Sequence, residues 1–162
     1  MHKLTGPLLA LAILVLDQAA KWLVLASLDP YQAVLVTPFF NLVLVWNRGV
    51  SFGMLGALGD HGPWLLTALA AGIGAFLIVW LYRETRPVTR LALWLVLAGA
   101  VGNSIDRIRF GAVVDFLDFH AFGYHWPAFN VADSAIVIGA LLILLDSLVL
   151  SQTRTKLGRG KG

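Results

Sequence analysis

Cysteine is missing from the chain, and that absence removes disulfides, thiolate zinc sites and a cysteine nucleophile together. Charge is scarce as well. Asp, Glu, Lys and Arg make up 13% of the 162 residues, against ~25% in an ordinary soluble domain. With 59% hydrophobic residues, so few charges exclude a normal soluble globule. They imply one membrane-embedded domain over residues 1–162, with no room for a second. Internal repeats and low-complexity tracts are also lacking. The net charge of +3 is no sign of nucleic-acid binding, because the cations gather where membrane topology wants them.

What is present is a series of long apolar runs. The first, about 4–28, follows His2 and Lys3 like the start of a secretory signal. It resumes after Asp17-Gln18-Ala19-Ala20-Lys21, so it is long enough to be retained as a membrane span, which takes ~20 residues. Three further spans are expected at about 63–82, 90–108 and 130–150. Pro63 suits a first helical turn, and Trp64, Trp80 and Tyr82 mark span ends where aromatic belts form. Between the first two spans the pattern changes. Pro30 and Pro38 break helix, while 33–36 and 41–46 read as short strands, which predicts a small sheet at the membrane surface within 29–62. Val50 to Leu55, apolar and glycine-punctuated, reads as a mobile flap. The tail, 151–162, is basic and glycine-rich, and disorder is expected there.

Cation placement gives an orientation. With four spans, Lys3, Arg83, Arg86, Arg90, Arg154, Lys156, Arg159 and Lys161 fall on one side, which the positive-inside rule makes cytoplasmic. Both termini are expected there. Lys21, Arg48, Arg107 and Arg109 lie on the other side.

A dense polar cluster interrupts the apolar runs: Gly102-Asn103-Ser104-Ile105-Asp106-Arg107, then Val113-Val114-Asp115-Phe116, then Phe129-Asn130-Val131-Ala132-Asp133. Ionisable groups near hydrocarbon are costly and mark function by default. Each has a plainer explanation. Asn130 has the character of an N-cap and Asp133 would complement the helix dipole; Asn103 and Asp106 would be interfacial; Asp115 and Asp118 would flank Phe116-Leu117 in a loop. Capping alone, however, needs no second aspartate at the same depth. Two close carboxylates share a proton, supplying one base for water and one acid for the departing group. Asp118 rivals Asp115 on spacing, although in an extended segment only one of them points inward. Asp17 and Lys21, spaced i, i+4, can pair in a support role.

These motifs, with Asp17-Gln18-Ala19-Ala20-Lys21, Asn47-Arg48-Gly49 and Phe52-Gly53, resemble those of the bacterial lipoprotein signal peptidases (signal peptidase II) over nearly the whole chain. The resemblance implies an all-α polytopic fold, with four transmembrane helices, a small extracytoplasmic β-sheet cradle and an interfacial flap. It implies Asp115 and Asp133 as the catalytic dyad. Asn103, Asp106, Arg107 and Asn130 would orient dyad and substrate, with Asp17, Lys21, Asn47, Arg48, Gly49 and Ala132 as further site residues. The implied substrate is a prolipoprotein whose cysteine bears diacylglycerol, cut just before that cysteine at the outer face of the cytoplasmic membrane. No cofactor or metal is implied. Partners would be that precursor's signal peptide and membrane lipids, and the enzyme would be monomeric.

Other readings compete. A proton-coupled transporter would carry membrane aspartates nearer mid-membrane. A metal site from His120, His125, Asp115 and Asp118 is a further reading, but histidines in an aromatic loop (Phe119, Phe122, Tyr124, Trp126) are more simply belt residues. A serine–lysine protease would need Lys21 beside Ser51 or Ser104, and a scaffold leaves the paired carboxylates unexplained.

Overall fold

A computed structural model describes residues 4–30, 32–49 and 61–159, with side chains as far as Val149. In chain order the elements are α1 (Thr5–Ser27), β1 (Val34–Thr37), β2 (Phe40–Asn47), α2 (Gly62–Arg83), α3 (Pro87–Phe110), β3 (Val113–Ala121), β4 (Tyr124–His125) and α4 (Val131–Arg159). Among the described residues, four helices are long and apolar enough to cross a membrane: Thr5–Ser27, Gly62–Arg83, Pro87–Phe110 and Val131–Val149. The expected fold class, four such helices with a small sheet, is what the structure has. The expected flap, Val50 to Leu55, lies outside the described residues.

Local chemistry sets the helix ends. Proline sits in the first turn of both α2 and α3, where its missing N–H leaves no bond unmade. Gly111 ends α3 at φ 68°, a left-handed cap that returns its N–H to the Arg107 carbonyl at 2.9 Å. Leucines and valines on the outward faces stay exposed, Leu23 and Leu69 among them, as the lipid-facing surface of a span requires. Two buried apolar clusters hold the elements together. Leu77, Leu81, Leu93 and Leu97 join α2 to α3, while Val24, Leu44, Val114 and Phe116 join α1 to the strands.

The four strands form one antiparallel sheet in the order β1-β2-β3-β4. In the β2–β3 pair, Asn41 faces Asp118, Val45 faces Asp115 and Asn47 faces Val113, with an irregularity between Leu42 and Val45. Leu117 also bridges to Phe129, tying β3 to the residue before the α4 entry.

Two expectations need correction. The segment of Asp115 and Asp118 is a strand, not a loop: Val113, Val114, Phe116 and Phe119 suit a pleated surface, and β2 offers its edge to pair with them. The tail was expected to be disordered, yet the backbone of α4 continues through Arg159. Ser151 to Leu157 contains neither proline nor glycine, so nothing in it stops a helix already propagating from the span.

Candidate active site

Three spanning helices meet in a polar layer that begins at Lys21. Its Nζ lies 2.8 Å from Asp17 Oδ2 and 2.9 Å from Asp106 Oδ2, and it donates to Asn103 Oδ1 at 3.1 Å. The ammonium is 2% exposed and both carboxylates are buried. The i, i+4 pair expected on α1 therefore exists, but as part of a triad reaching α3. Gln18 closes it, donating to Asp17 Oδ2 at 3.2 Å and to Asp106 Oδ1 at 3.1 Å. The free oxygen of Asp17 accepts the Ala132 N–H at 2.9 Å, and Asp106 accepts the Val114 N–H at 3.1 Å. The triad thus fixes the start of α4 and the start of β3 against α1 and α3. Gly102 allows that approach, since a Cβ there would stand 2.7 Å from Asp17 Oδ2 and 3.3 Å from the Ala132 Cβ.

Above this layer stands Asn130, fully buried. Its Nδ2 donates to Asp115 Oδ1 at 2.7 Å, and also lies within reach of Asn103 Oδ1 and the Val114 carbonyl. Its Oδ1 accepts the Asp133 N–H at 2.9 Å, while its own N–H reaches Asp133 Oδ2 at 3.2 Å. Those last two bonds are a reciprocal capping box. The N-cap role expected of Asn130 is real, and it leaves Asp133 Oδ1 free to accept from Asn103 Nδ2 at 2.7 Å. Asp115 is held at its other oxygen by Asn47 Nδ2, 2.8 Å away, from the end of β2. Asn47 is itself set by the Gly49 N–H on its Oδ1. The two carboxyl groups are thus joined through one residue, Asn130, by its side-chain amide to Asp115 and its backbone N–H to Asp133, with each carboxyl oxygen given an N–H donor.

Burial pushes the Asp115 carboxyl up to about 7, with the Asp133 charge adding to the rise, while the amides of Asn47 and Asn130 oppose it. Arg107 lies within electrostatic reach of Asp133, Asp115 and Asp106. Its buried Nε has no hydrogen-bond partner among the described residues. Such an orphaned donor beside two carboxyls is suited to a substrate oxygen.

Asp118 goes elsewhere. Its Oδ2 accepts Asn41 Nδ2 at 2.9 Å, and His125 Nδ1 lies 2.9 Å from both oxygens. Burial raises its carboxyl, but the bonds from Asn41 and His125 and the nearby histidine charges outweigh that, so the net shift is downward. Three residues along a strand from Asp115, it faces the opposite side. Arg48 is exposed and lines a separate cleft with Trp46, Phe110 and Ala112, with no bond to either carboxyl of the pair among the described residues. Among the described residues, no three His, Asp or Glu side chains converge as a metal site needs. Asp115, Asp133, Asn47, Asn103, Asn130, Asp106, Asp17, Lys21 and Ala132 form one connected network, which Gly49 joins through Asn47. Gln18 belongs to it and was missed. Its place one residue after Asp17 was the available signal. Asn41 and His125 could not be anticipated without the strand register.

The signal peptidase (SPase) II family model matches residues 9–149. A lipoprotein signal peptidase of Cupriavidus necator is 48% identical over 149 residues, covering 89% of this chain and 85% of that protein. One of Burkholderia mallei is 46% identical over 143 residues, with 86% and 85% covered. A bacterial membrane enzyme solved by the in meso method superposes with a TM-score of 0.84 at 30% identity, over 94% of this chain and 92% of its own. With a match of that extent and relatives this similar over most of their length, the chain belongs to the signal peptidase II family.

Proposed function

We propose that this protein is an aspartic endopeptidase of the cytoplasmic membrane that removes the signal peptide from diacylglyceryl-modified prolipoproteins. The cut falls just before the lipidated cysteine. The observation that carries this reading is Asn130, which hydrogen-bonds Asp115 through its side chain and Asp133 through its backbone and so holds the two carboxyls as a pair. Hydrolysis then follows from their difference. Asp115, with its proton held up to about 7, is the acid. Asp133, in the first turn of α4 and facing the positive end of its dipole, is the base.

Asp133 takes a proton from water as the oxygen attacks the scissile carbonyl carbon. The Asp115 proton passes to the carbonyl oxygen, giving a neutral tetrahedral diol. In the collapse the C–N bond breaks, the leaving nitrogen receives the proton held by Asp133, and a diol proton returns to Asp115. One water is consumed, and a carboxyl and an amine are released. Arg107 would hold the substrate oxygen in register.

Asp115 lies on β3 outside the spans, and Asp133 opens α4. Both are therefore at span ends, where an amide held by a lipid anchor meets water, and away from the mid-membrane depth a transporter would use. The cation distribution supports cytoplasmic termini and an outward site. A monomer suffices, since the network is complete within one chain. The reading is tested with purified protein and a lipidated precursor peptide in bilayers. Cleavage before the modified cysteine, undiminished by chelators, is expected. Failure to cleave any lipidated precursor would sink it.

A further inference from the structure

The sheet carries a second cleft on the face turned away from the dyad. Asp115 pairs with Val45, and Asn47 with Val113, across β2 and β3, so alternation puts Trp46 and Arg48 on the reverse side. With Ala112 and Phe110, the last residue of α3, they line a cleft of about 280 Å³. Its walls are aromatic and cationic. The Trp46 and Phe110 rings meet edge to face with centroids 5.6 Å apart, and the Arg109 guanidinium stands 4.9 Å over the Phe110 ring. Arg48 and Arg109 are both exposed, and among the described residues neither has a carboxylate within ion-pairing distance.

Four cations lie at this end of the spans, against the usual bias of membrane proteins. Two are accounted for: Lys21 by Asp17 and Asp106, and Arg107 by the carboxyls within its electrostatic reach. Arg109 complements the C-terminal end of α3, but that explanation does not extend to Arg48, which belongs to no helix.

We propose that this cleft binds the headgroup of an anionic phospholipid, with Arg48 and Arg109 taking its phosphodiester. Depth and charge select that occupant. Phe110 ends a helix long enough to cross a membrane, and a tryptophan beside it belongs to the interfacial belt, so the cleft stands at headgroup level. A soluble acidic partner lacks the tails that hold a phosphodiester at that depth. A zwitterionic lipid is disfavoured, because its choline needs an open aromatic face. That of Phe110 is covered by Arg109, and a second guanidinium lies in the same cleft. The planar guanidinium fork, by contrast, matches phosphate oxygens.

The site also touches the dyad's support. Arg48 stands between Asn47, whose amide holds Asp115 at 2.8 Å, and Gly49, whose N–H fixes Asn47 at 2.8 Å. A phosphate on Arg48 therefore braces, from behind the sheet, the turn that aims Asn47 at Asp115.

The test uses a phosphatidylglycerol analogue with a diazirine on its headgroup glycerol, diluted into phosphatidylcholine nanodiscs holding the full chain. Photolysis is expected to label residues 46–48 and 109–112. Excess unlabelled phosphatidylglycerol should suppress that label and excess phosphatidylcholine should not. Label confined to other segments, or equal suppression by both lipids, overturns the proposal. Arg48→Gln and Arg109→Gln, both at exposed positions, should each weaken labelling there by about 5-fold, the scale of one cation near an anionic membrane surface. Undiminished labelling in both variants overturns the site. An equal loss in Arg83→Gln, an exposed cation at the other end of the bundle, reduces the attraction to overall charge and overturns it too. None of these readouts requires cleavage, so failure of the peptidase reading leaves them standing.

Discussion

Replacing Lys21 by methionine keeps most of the side chain's length and removes its charge. In the native protein the ammonium sits between Asp17 at 2.8 Å and Asp106 at 2.9 Å, with 2% of its surface exposed. Its loss leaves two carboxylates buried together with only Gln18 and two backbone N–H groups as donors. Breaking a buried ion pair by removing one partner costs about 3–5 kcal/mol, whereas replacing the whole set by neutral groups is often neutral or stabilising. Lys21→Met should therefore lower the unfolding midpoint of the purified protein by on the order of 10 °C. The triple change Lys21→Met, Asp17→Asn, Asp106→Asn should recover most of that loss. The double change Lys21→Met, Asp17→Asn should recover only part, because Asp106 remains charged and unpaired. Thermal unfolding in detergent, followed by the monodisperse fraction, reads all four proteins. A Lys21→Met midpoint within about 2 °C of wild type would refute the reasoning, as would a triple variant no more stable than the single one. Activity should fall in the single variant too, since Lys21 also orients Asn103, whose amide holds Asp133.

Three further outcomes are expected. Asp115 acts protonated and its carboxyl is raised to about 7, so the acid form is present below that value and lost as pH rises through it. The cleavage rate should fall on the alkaline side with a macroscopic midpoint near there, and a rate flat from about pH 6 to 9 contradicts the assignment. Asp118→Asn should keep at least roughly a third of the wild-type rate and lose about 1–2 kcal/mol of stability as its bonds from Asn41 and His125 weaken; a loss above ~10²-fold would bring Asp118 into the chemistry. Reporters fused after Gly162 or at Thr85 should read cytoplasmic and one at Gly59 external, and the reverse pattern would turn the site to the wrong side.

The helices were legible because a membrane span is a one-dimensional property: length and apolarity suffice. The pairing of Asp17 with Lys21 was equally local, following from i, i+4 spacing. The third partner, Asp106, was not, since nothing local to α1 says which face of α3 it meets. The small side chain of Gly102, which lets those faces approach, carries meaning only once the packing is known. The aspartates of β3 break the apolar alternation that marks a strand, so its sequence alone suggests a loop; in the sheet those same aspartates are satisfied by Asn47 and Asn130 on one face and by Asn41 and His125 on the other. Asn130 illustrates how a plain and a functional reading can both hold. It caps α4 with one set of atoms and holds Asp115 with another.

The central claim is that Asp115 and Asp133 act as one proton-sharing pair, and rates of precursor cleavage by Asp115→Asn, Asp133→Asn and the double variant test it most directly. An amide fills the space of a carboxyl without exchanging its proton, and each positioned acid or base is worth ~10²–10⁴ in rate. Each single variant, folded and inserted, should lose at least that factor, and the double variant should be scarcely worse than either, as for residues that work as a unit. If folded Asp133→Asn still cleaves at a rate near wild type, or if the two losses multiply in the double variant, the paired mechanism is contradicted and Asp133 is left as the capping acid of α4.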